Sequence, residues 1–185
     1  MLVPDRMAEL WQRVEAGEIS SADCVREQEY LLEPYRIEWK NALLCQGETD
    51  LRASLLREVA GYYNVSDLAE IDRSCNCAVD TLKSEWRTTV DSRQRSSVES
   101  FYENKTHIYD LINWHTLKDD TGPLAYIVAL QIARDHNVRS CLDFGSGVGS
   151  GALLLRRANI EITLADISTT LLDFARWRFH LRSLP

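Results

Sequence analysis

The sequence predicts an α/β fold in which a helical N-terminal region precedes the start of a doubly wound parallel sheet. Three observations support this class. Apolar residues recur at helical spacing through residues 1–136. Four of the chain's eight glycines then fall within residues 139–151, and an alternating, β-branched segment follows at residues 161–166. Strand, glycine turn, helix, strand and helix, in this order, are typical of the beginning of a parallel sheet covered by helices.

The helical region divides at turn-forming residues. Residues 5–16 form the first predicted helix, and the second starts near Ser20 and is expected to be interrupted by Pro34. Ser96 and Glu99 have the spacing of a capping box, so the helix after a polar linker is expected to begin at Ser96. The other predicted helices cover residues 35–44, 51 to about 61–64, 64–86 and 124–136.

The composition argues against several classes of protein. The formal net charge of −7 disfavours a general nucleic-acid-binding protein, because contacts to phosphates need a basic surface. No apolar run reaches the length of a transmembrane helix, about 18 residues, and the N-terminus lacks the core of a signal peptide. Only Cys75 and Cys77 among the five cysteines are close in sequence, which favours free thiols over a metal site. We therefore expect a cytoplasmic protein that binds no nucleic acid, membrane or metal.

Two acids flank the glycine turn. Residues 139–144 are the first predicted strand, with Asp143 near its end, and Asp166 ends the second. The carboxyl ends of adjacent parallel strands meet at one edge of a sheet, so both carboxylates are expected beside the turn. A carboxylate in this position can accept hydrogen bonds from a ribose diol or balance a ligand cation. Helices at 150–158 and 169–181 complete the predicted unit.

The segments Leu142–Gly149 and Ile162–Ser168 resemble motifs I and II of the class I S-adenosylmethionine-dependent methyltransferases, whose catalytic domain is Rossmann-like. The family pattern is an acid, one residue, and glycines at alternate positions, followed by a second acid at the end of the next strand. Here the two acids, Asp143 and Asp166, are 23 residues apart. The resemblance covers residues 139–181 and implies an enzyme that transfers a methyl group from S-adenosyl-L-methionine.

The resemblance also implies a role for each matched residue. The glycines would let the backbone approach the methionine and ribose parts of the cofactor. Asp143 would lie near the methionyl amino group, Asp166 would bind the ribose hydroxyls, and Ile167 would pack near the adenine. The implied cofactor-binding residues are Asp143, Phe144, Gly145, Ser146, Gly147, Gly149, Asp166 and Ile167.

Two other functions remain open on the sequence. Gly147, Gly149 and Ala152 fit the loose form of a dinucleotide-binding pattern, with Asp166 as the ribose acid, which would make the chain part of an NAD(P)-binding oxidoreductase. The acid two places before the first glycine is expected for the methyltransferase and not for the dinucleotide fold. The third interpretation is a helical interaction module without enzymatic activity.

The predicted organisation has three parts: a helical region at residues 1–95, a helical cap at 96–136 and a cofactor-binding segment at 137–185. The resembled family has a larger sheet than the two strands predicted here. We therefore expect the chain to be the N-terminal part of a methyltransferase, with an incomplete Rossmann-like sheet that a partner chain could complete. Alone, it is expected to bind the cofactor weakly or not at all and to be inactive.

The helical cap contains the candidate substrate contacts. In small-molecule methyltransferases a segment in this position covers the cofactor and helps to form the substrate pocket, so the resemblance implies a small-molecule substrate. Tyr109, Trp114 and His115 are the candidate substrate-binding residues. The competing interpretation assigns the tyrosine and tryptophan rings to the core and makes His115 the cap of a helix C-terminus. No residue can be assigned as a catalytic base. His107 belongs to no motif and is expected at the surface.

Overall fold

The computed structural model describes residues 2–117 and 122–185. Within these ranges no helix is both long and apolar enough to span a bilayer. The elements in chain order are α1 (Val3–Glu15), α2 (Ser21–Leu43), α3 (Leu51–Tyr63), α4 (Leu68–Thr89), α5 (Arg95–Tyr102), α6 (Thr106–Asp110), a π-helix (Leu111–Thr116), α7 (Gly122–Asp135), β1 (Ser140–Phe144), α8 (Ser150–Arg157), β2 (Glu161–Ala165) and α9 (Thr169–Leu181).

The two strands form a parallel pair. Ser140 lies opposite Glu161 and Phe144 lies opposite Ala165, and α8 provides the crossover between them. The predicted strands and the predicted helices α8 and α9 are confirmed to within one residue at each end. A mostly helical chain with a small parallel sheet is compatible with the predicted α/β class.

The two faces of this sheet have different surroundings. Cys141, Ile162 and Leu164 pack against the apolar core that α7 and α8 share with α2. The opposite face is open, with Leu142 60% and Phe144 86% exposed. Side chains alternate between the faces because successive residues of a strand point in opposite directions.

The hydrophobic core has two parts that meet at the glycine turn. One contains residues of α3, α4, α6 and the π-helix together with Val148, Leu171 and Phe174, so the N-terminal helices pack directly on the turn and on α9. The other joins α2, α7, α8 and the sheet. Phe174 is fully buried, and burying a side chain of this size stabilises a fold by roughly 1.5–3 kcal/mol. The domain boundaries at residues 95 and 136 stay predictions.

Helix α2 corrects one prediction, because it runs unbroken although Pro34 lies inside it. Proline removes the hydrogen bond to the carbonyl group four residues earlier, here that of Tyr30. Both residues are exposed, so water can hydrate this carbonyl group. Leu31 and Trp39 hold the two halves of the helix on the protein interior. Packing of both halves against the interior therefore outweighs the tendency of Pro34 to end the helix.

The start of α5 corrects another prediction. The helix begins at Arg95 instead of after Ser96, and its N-cap residue Gln94 makes no side-chain cap bond. The carboxylate of Glu99, expected to close a capping box, accepts a hydrogen bond from Arg95 at 2.6 Å. An ion pair between side chains has thus replaced the cap that the spacing predicted.

The helix predicted after this start is divided into three pieces. α5 ends at Tyr102, where Asn104 accepts a hydrogen bond from the backbone N–H of Thr106 at 2.9 Å. α6 follows and passes directly into the π-helix. In that π-helix the hydroxyl group of Thr116 donates to the carbonyl oxygen of Leu111 at 2.9 Å. π-Helical turns are rare in proteins, and many of those that are known lie at functional sites.

Candidate functional site

The turn after β1 has a backbone that requires glycine. Gly145, Gly147 and Gly149 have φ angles of 77°, 52° and 71°, a left-handed conformation that other residues adopt at a cost of about 1–2 kcal/mol. The backbone N–H groups of Gly145 and Ser146 donate to the carbonyl oxygen of Ala165, at 2.7 and 3.1 Å. These bonds fasten the turn to the end of β2, so the two strand ends form one edge.

Only the first glycine of the turn faces open space. An added Cβ atom at Gly145 would meet nothing within 4 Å. At Gly147 it would lie 3.0 Å from the side chain of Leu111, and at Gly151 only 1.9 Å from the ring of Tyr126. The later glycines are therefore also needed for close packing, while Gly145 leaves room for another molecule.

Asp166 fixes the turn from the neighbouring strand. One carboxylate oxygen accepts the N–H of Gly147 at 2.8 Å and the other accepts the N–H of Ser168 at 3.0 Å. Each carboxylate oxygen has two lone-pair sites, so each can accept a further hydrogen bond. The sequence interpretation assigned Asp166 to a ligand alone, and its part in holding the turn was missed.

Asp143 has a buried oxygen without a partner. Its Oδ1 atom accepts a hydrogen bond from the hydroxyl group of Tyr126 at 3.4 Å, and its Oδ2 atom is buried with no hydrogen-bond partner among the described residues. Burial raises the pKa of the Asp143 carboxyl, the bond from Tyr126 opposes this, and the charge of Asp166 raises the pKa further. A cationic group at Oδ2 would satisfy the oxygen and stabilise the charged carboxylate.

A cavity of about 950 Å³ opens at this edge of the sheet. One wall comes from the glycine turn, the end of β2 and the start of α9, and the opposite wall comes from α4, α5, α6 and the π-helix. The lining residues that were not predicted as site residues are on α4, α5, α6, the π-helix and α9 and at the end of β2: Leu82, Lys83, Trp86, Arg87, Phe101, Tyr102, Asp110, Leu111, Ala165 and Leu171.

The cavity brings together six of the predicted site residues. These are Phe144, Gly145, Gly147, Asp166, Ile167 and His115. Asp143, near the end of β1, and Ser146 and Gly149 of the turn do not line the cavity. Ser146 and Gly149 are buried, and the turn closes with a bond from the Gly149 N–H to the Ser146 carbonyl oxygen at 2.9 Å.

Tyr109 and Trp114 do not line the cavity. Tyr109 is buried, with its ring centroid 6.0 Å from that of Tyr63, in the core formed by α3, α4 and α9. Trp114 is 39% exposed. Of the two candidates on the π-helix, His115 lines the cavity and Trp114 does not, while Tyr109 on α6 is part of the core.

His107 is buried, which corrects the prediction of a surface position. Its Nε2 atom lies 3.1 Å from the carbonyl oxygen of Phe101, and its ring packs edge-on against the Phe101 ring. Burial lowers the pKa of His107. The neutral ring thus forms part of the cavity wall.

A buried ionic network behind the turn was missed from the sequence. Arg178 is fully buried and pairs with the carboxylate of Glu58 at 3.1 Å. Its Nη1 atom also donates to the carbonyl oxygen of Val148 at 2.7 Å and to the hydroxyl oxygen of Ser150 at 2.9 Å. Arg182 forms a second ion pair with Glu58. The network joins α3 and α9 to the glycine turn.

The signal for this network was present in the spacing of α9. Arg178 follows Leu171, Phe174 and Ala175 at positions i+7, i+4 and i+3, so it lies on the buried stripe of the helix. A charged residue on an apolar stripe indicates a buried partner, but the partner itself is 120 residues away in the chain.

Comparisons with protein-family models, curated proteins and solved structures found no match. Within the described part of the chain, no cluster of three or more histidine, cysteine or acidic residues could hold a metal ion. The geometry of the turn and cavity therefore carries the functional argument.

Proposed function

We propose that the chain belongs to an S-adenosylmethionine-dependent methyltransferase acting on a small molecule, and that it supplies the cofactor site. The observation that carries this proposal is the buried Oδ2 atom of Asp143, which has no hydrogen-bond partner in the described part of the chain and lies just before a left-handed glycine turn. A second acid, Asp166, lies on the neighbouring strand end and lines the cavity. Together they offer one site for a cation and one for a diol.

The described residues fit the parts of this cofactor. The methionyl ammonium group would bind Asp143, where its positive charge offsets the cost of the buried carboxylate. The ribose hydroxyls would donate to the remaining lone pairs of Asp166. Ile167 is 50% exposed in the cavity and offers an apolar surface to the adenine. Gly145 leaves open space where the backbone would meet the cofactor.

The bound cofactor would supply an electrophilic methyl group on a sulfonium centre. The chain's own contribution is to bind, to orient and to exclude water. Residues of α4, α5 and the π-helix face the turn across the cavity and would hold an acceptor near the cofactor. Correct placement of two reactants can supply a large part of a rate acceleration, roughly 7–11 kcal/mol in the best cases.

The same geometry disfavours the dinucleotide alternative. A dinucleotide would place its pyrophosphate at the glycine turn and the start of α8. The carboxylate of Asp143, whose Oδ2 atom has no hydrogen-bond partner among the described residues, lies near the end of the strand before this turn, and its negative charge would repel the phosphates. A cationic ligand is attracted by the same carboxylate.

Thermal unfolding with added ligand tests the proposal. S-adenosylhomocysteine at ten times its Kd should stabilise the chain by about 1.4 kcal/mol, or roughly 3–6 °C, and NAD should give no shift. The sequence predicts weak binding or none; because the glycine turn, Asp143 and Asp166 are all present, we propose weak but measurable binding, so the titration should extend to millimolar ligand. Asp166→Ala and Asp143→Ala should each remove the shift, whereas Asp80→Ala, an exposed change on α4, should keep it. A shift with NAD alone, or none with either ligand, would reject the proposal.

Several expectations stay predictions. These are the cytoplasmic location, the lack of nucleic-acid and membrane binding, the low activity of the chain alone, and the partner chain that completes the sheet. Such a partner would add a strand at an edge of the β1–β2 pair through backbone hydrogen bonds.

A further inference from the structure

We propose that the methyl acceptor is a small ring compound with an anionic group, and that Lys83 and Arg87 bind this group. The inference rests on the function proposed above and names the substrate class for the same cavity. It comes from the α4 wall, which faces the glycine turn and whose residues belong to none of the predicted motifs.

The two cations occupy one face of α4. Lys83 and Arg87 are four residues apart, a spacing that brings helical side chains together, and both line the cavity. Arg73, also on α4, is paired with Asp67. Among the described residues neither Lys83 nor Arg87 has an ion-pair partner. Two acids, Asp110 and Asp166, also line the cavity, but they lie on α6 and at the end of β2, so the positive charge of the cavity is concentrated on α4.

An aromatic surface lies beside these cations. Trp86 is between them in sequence, lines the cavity and is 38% exposed. Its ring packs edge-on against Phe101, at a centroid distance of 5.1 Å, and Phe101 packs edge-on against His107 at 4.7 Å. The edge-to-face contacts hold Trp86 in place and leave part of the ring open to a ligand. A flat, apolar ring that carries an anionic group matches this combination.

The cavity is large enough for two molecules. At about 950 Å³ it lies at the upper end of the range for small-molecule sites, roughly 300–1,000 Å³. The cofactor would occupy the wall with Gly145, Asp166 and Ile167, which leaves the α4 wall for the acceptor. The competing assignment is that Lys83 and Arg87 bind the carboxylate of the cofactor itself.

Calorimetry on the 185-residue chain with simple probes distinguishes these assignments. The probes are benzoate and phenyl phosphate, their neutral analogue benzyl alcohol, and acetate, which has the charge without the ring. Each is titrated in the absence and presence of saturating S-adenosylhomocysteine. Benzoate or phenyl phosphate should bind at least about tenfold more tightly than benzyl alcohol or acetate, with or without S-adenosylhomocysteine.

The decisive variant is Lys83→Gln/Arg87→Gln. It should lower the affinity for the anionic ring probes about fivefold to tenfold. The affinity for S-adenosylhomocysteine should stay within about twofold of the wild-type value. The matched control is Arg93→Gln/Arg139→Gln, which removes the same charge from exposed positions outside the cavity and should change neither affinity.

Each other result has a definite meaning. If the Lys83/Arg87 variant has a lower affinity for S-adenosylhomocysteine, and the probes compete with S-adenosylhomocysteine, the cations bind the cofactor carboxylate. The acceptor assignment is then wrong. Equal binding of benzoate and benzyl alcohol also overturns it. If the probes bind in a charge-dependent way but S-adenosylhomocysteine does not bind at all, the methyltransferase proposal fails, and the acceptor assignment fails with it although the anion site stands.

Discussion

Asp143 and Asp166 are chemically identical residues that have different surroundings at one edge of the sheet. Asp166 accepts two backbone N–H groups and is part of the turn. Asp143 keeps one buried oxygen that has no hydrogen-bond partner among the described residues. The first arrangement stabilises the free protein, whereas the second leaves an oxygen that a bound cation can satisfy. This difference between two residues is the basis of the proposed site.

The burial of Asp143 predicts a pH-dependent stability difference. Because burial raises its pKa above the ordinary value of 3.8, the charged form destabilises the folded protein, and this cost appears as the pH rises through the raised pKa. Asp143→Asn should therefore be more stable than the wild type at neutral pH, and the difference should vanish below about pH 3.8. Urea unfolding across this pH range measures it. A variant less stable than the wild type at neutral pH would contradict the account.

Gly145 tests the turn itself. Gly145→Ala should lower the free energy of unfolding by about 1–2 kcal/mol, because φ is 77°. It should also weaken the binding of S-adenosylhomocysteine, since the new methyl group enters the open space of the cavity. Gly17→Ala is a matched control, with φ at 72° and no atom within 4 Å of the added Cβ. The control should lose a similar amount of stability and keep its affinity for S-adenosylhomocysteine. If both variants bind S-adenosylhomocysteine equally well, Gly145 does not contact the ligand.

Helix α9 connects the N-terminal helices to the site. Glu103, which follows α5, binds the N–H groups at its start, and Arg178 and Arg182 near its end pair with Glu58 of α3. Arg178 also holds the carbonyl group of Val148 in the turn. The helix is thus fixed at both ends by side chains from distant parts of the chain, and through it the N-terminal helices position the turn.

Glu58→Gln tests the buried end of this connection. Burial acts to raise the pKa of Glu58, but Arg178 and Arg182 outweigh it and lower that pKa. The substitution leaves two buried guanidinium groups without a counter-charge, so the free energy of unfolding should fall by about 3–5 kcal/mol. Glu48→Gln, which breaks an exposed pair with Arg57, should cost only about 0–1 kcal/mol. Chemical denaturation compares them, and similar losses would show that the network is not buried in solution.

Glu103→Gln tests the contact at the start of α9. Hydrogen bonds from the N–H groups of Thr169 and Thr170 lower the pKa of Glu103 to about 2. Its charge near a helix start should contribute about 0.3–1 kcal/mol, less at high salt. The contribution is present above the ordinary pKa of 4.5 and is lost as the pH falls towards about 2. The wild type and variant should therefore converge in acid. A stability difference that is constant with pH would argue against this contact.

At the scale of the molecule, local patterns predicted the segments that local chemistry determines. The glycines, the alternating residues of β2 and the Ser168 cap of α9 place the strand–turn–helix unit correctly to within a residue. They also indicated which wall of the cavity contains Gly145, Asp166 and Ile167. Backbone conformation at glycines and helix starts depends on neighbouring residues, and for this reason it can be predicted from sequence.

Features that depend on distant contacts could not be predicted in this way. The continuous path of α2 through Pro34 depends on packing at both ends, and the burial of Arg178 depends on Glu58, which is remote in sequence. The α4 wall with Lys83 and Trp86 faces the turn only because α4 packs against α6 in the fold. One half of the candidate site therefore follows from sequence motifs, and the other half follows from tertiary structure.

The most direct test of the central claim is an ¹H–¹⁵N NMR titration of the chain with S-adenosylhomocysteine. The amide signals of Gly145, Gly147 and Ile167 should shift together and saturate with one Kd, and Asp166→Ala should abolish these shifts. NAD at the same concentrations should leave them unchanged. Absence of shifts at the turn, or larger shifts at residues far from it, would contradict a cofactor site between Asp143 and Asp166.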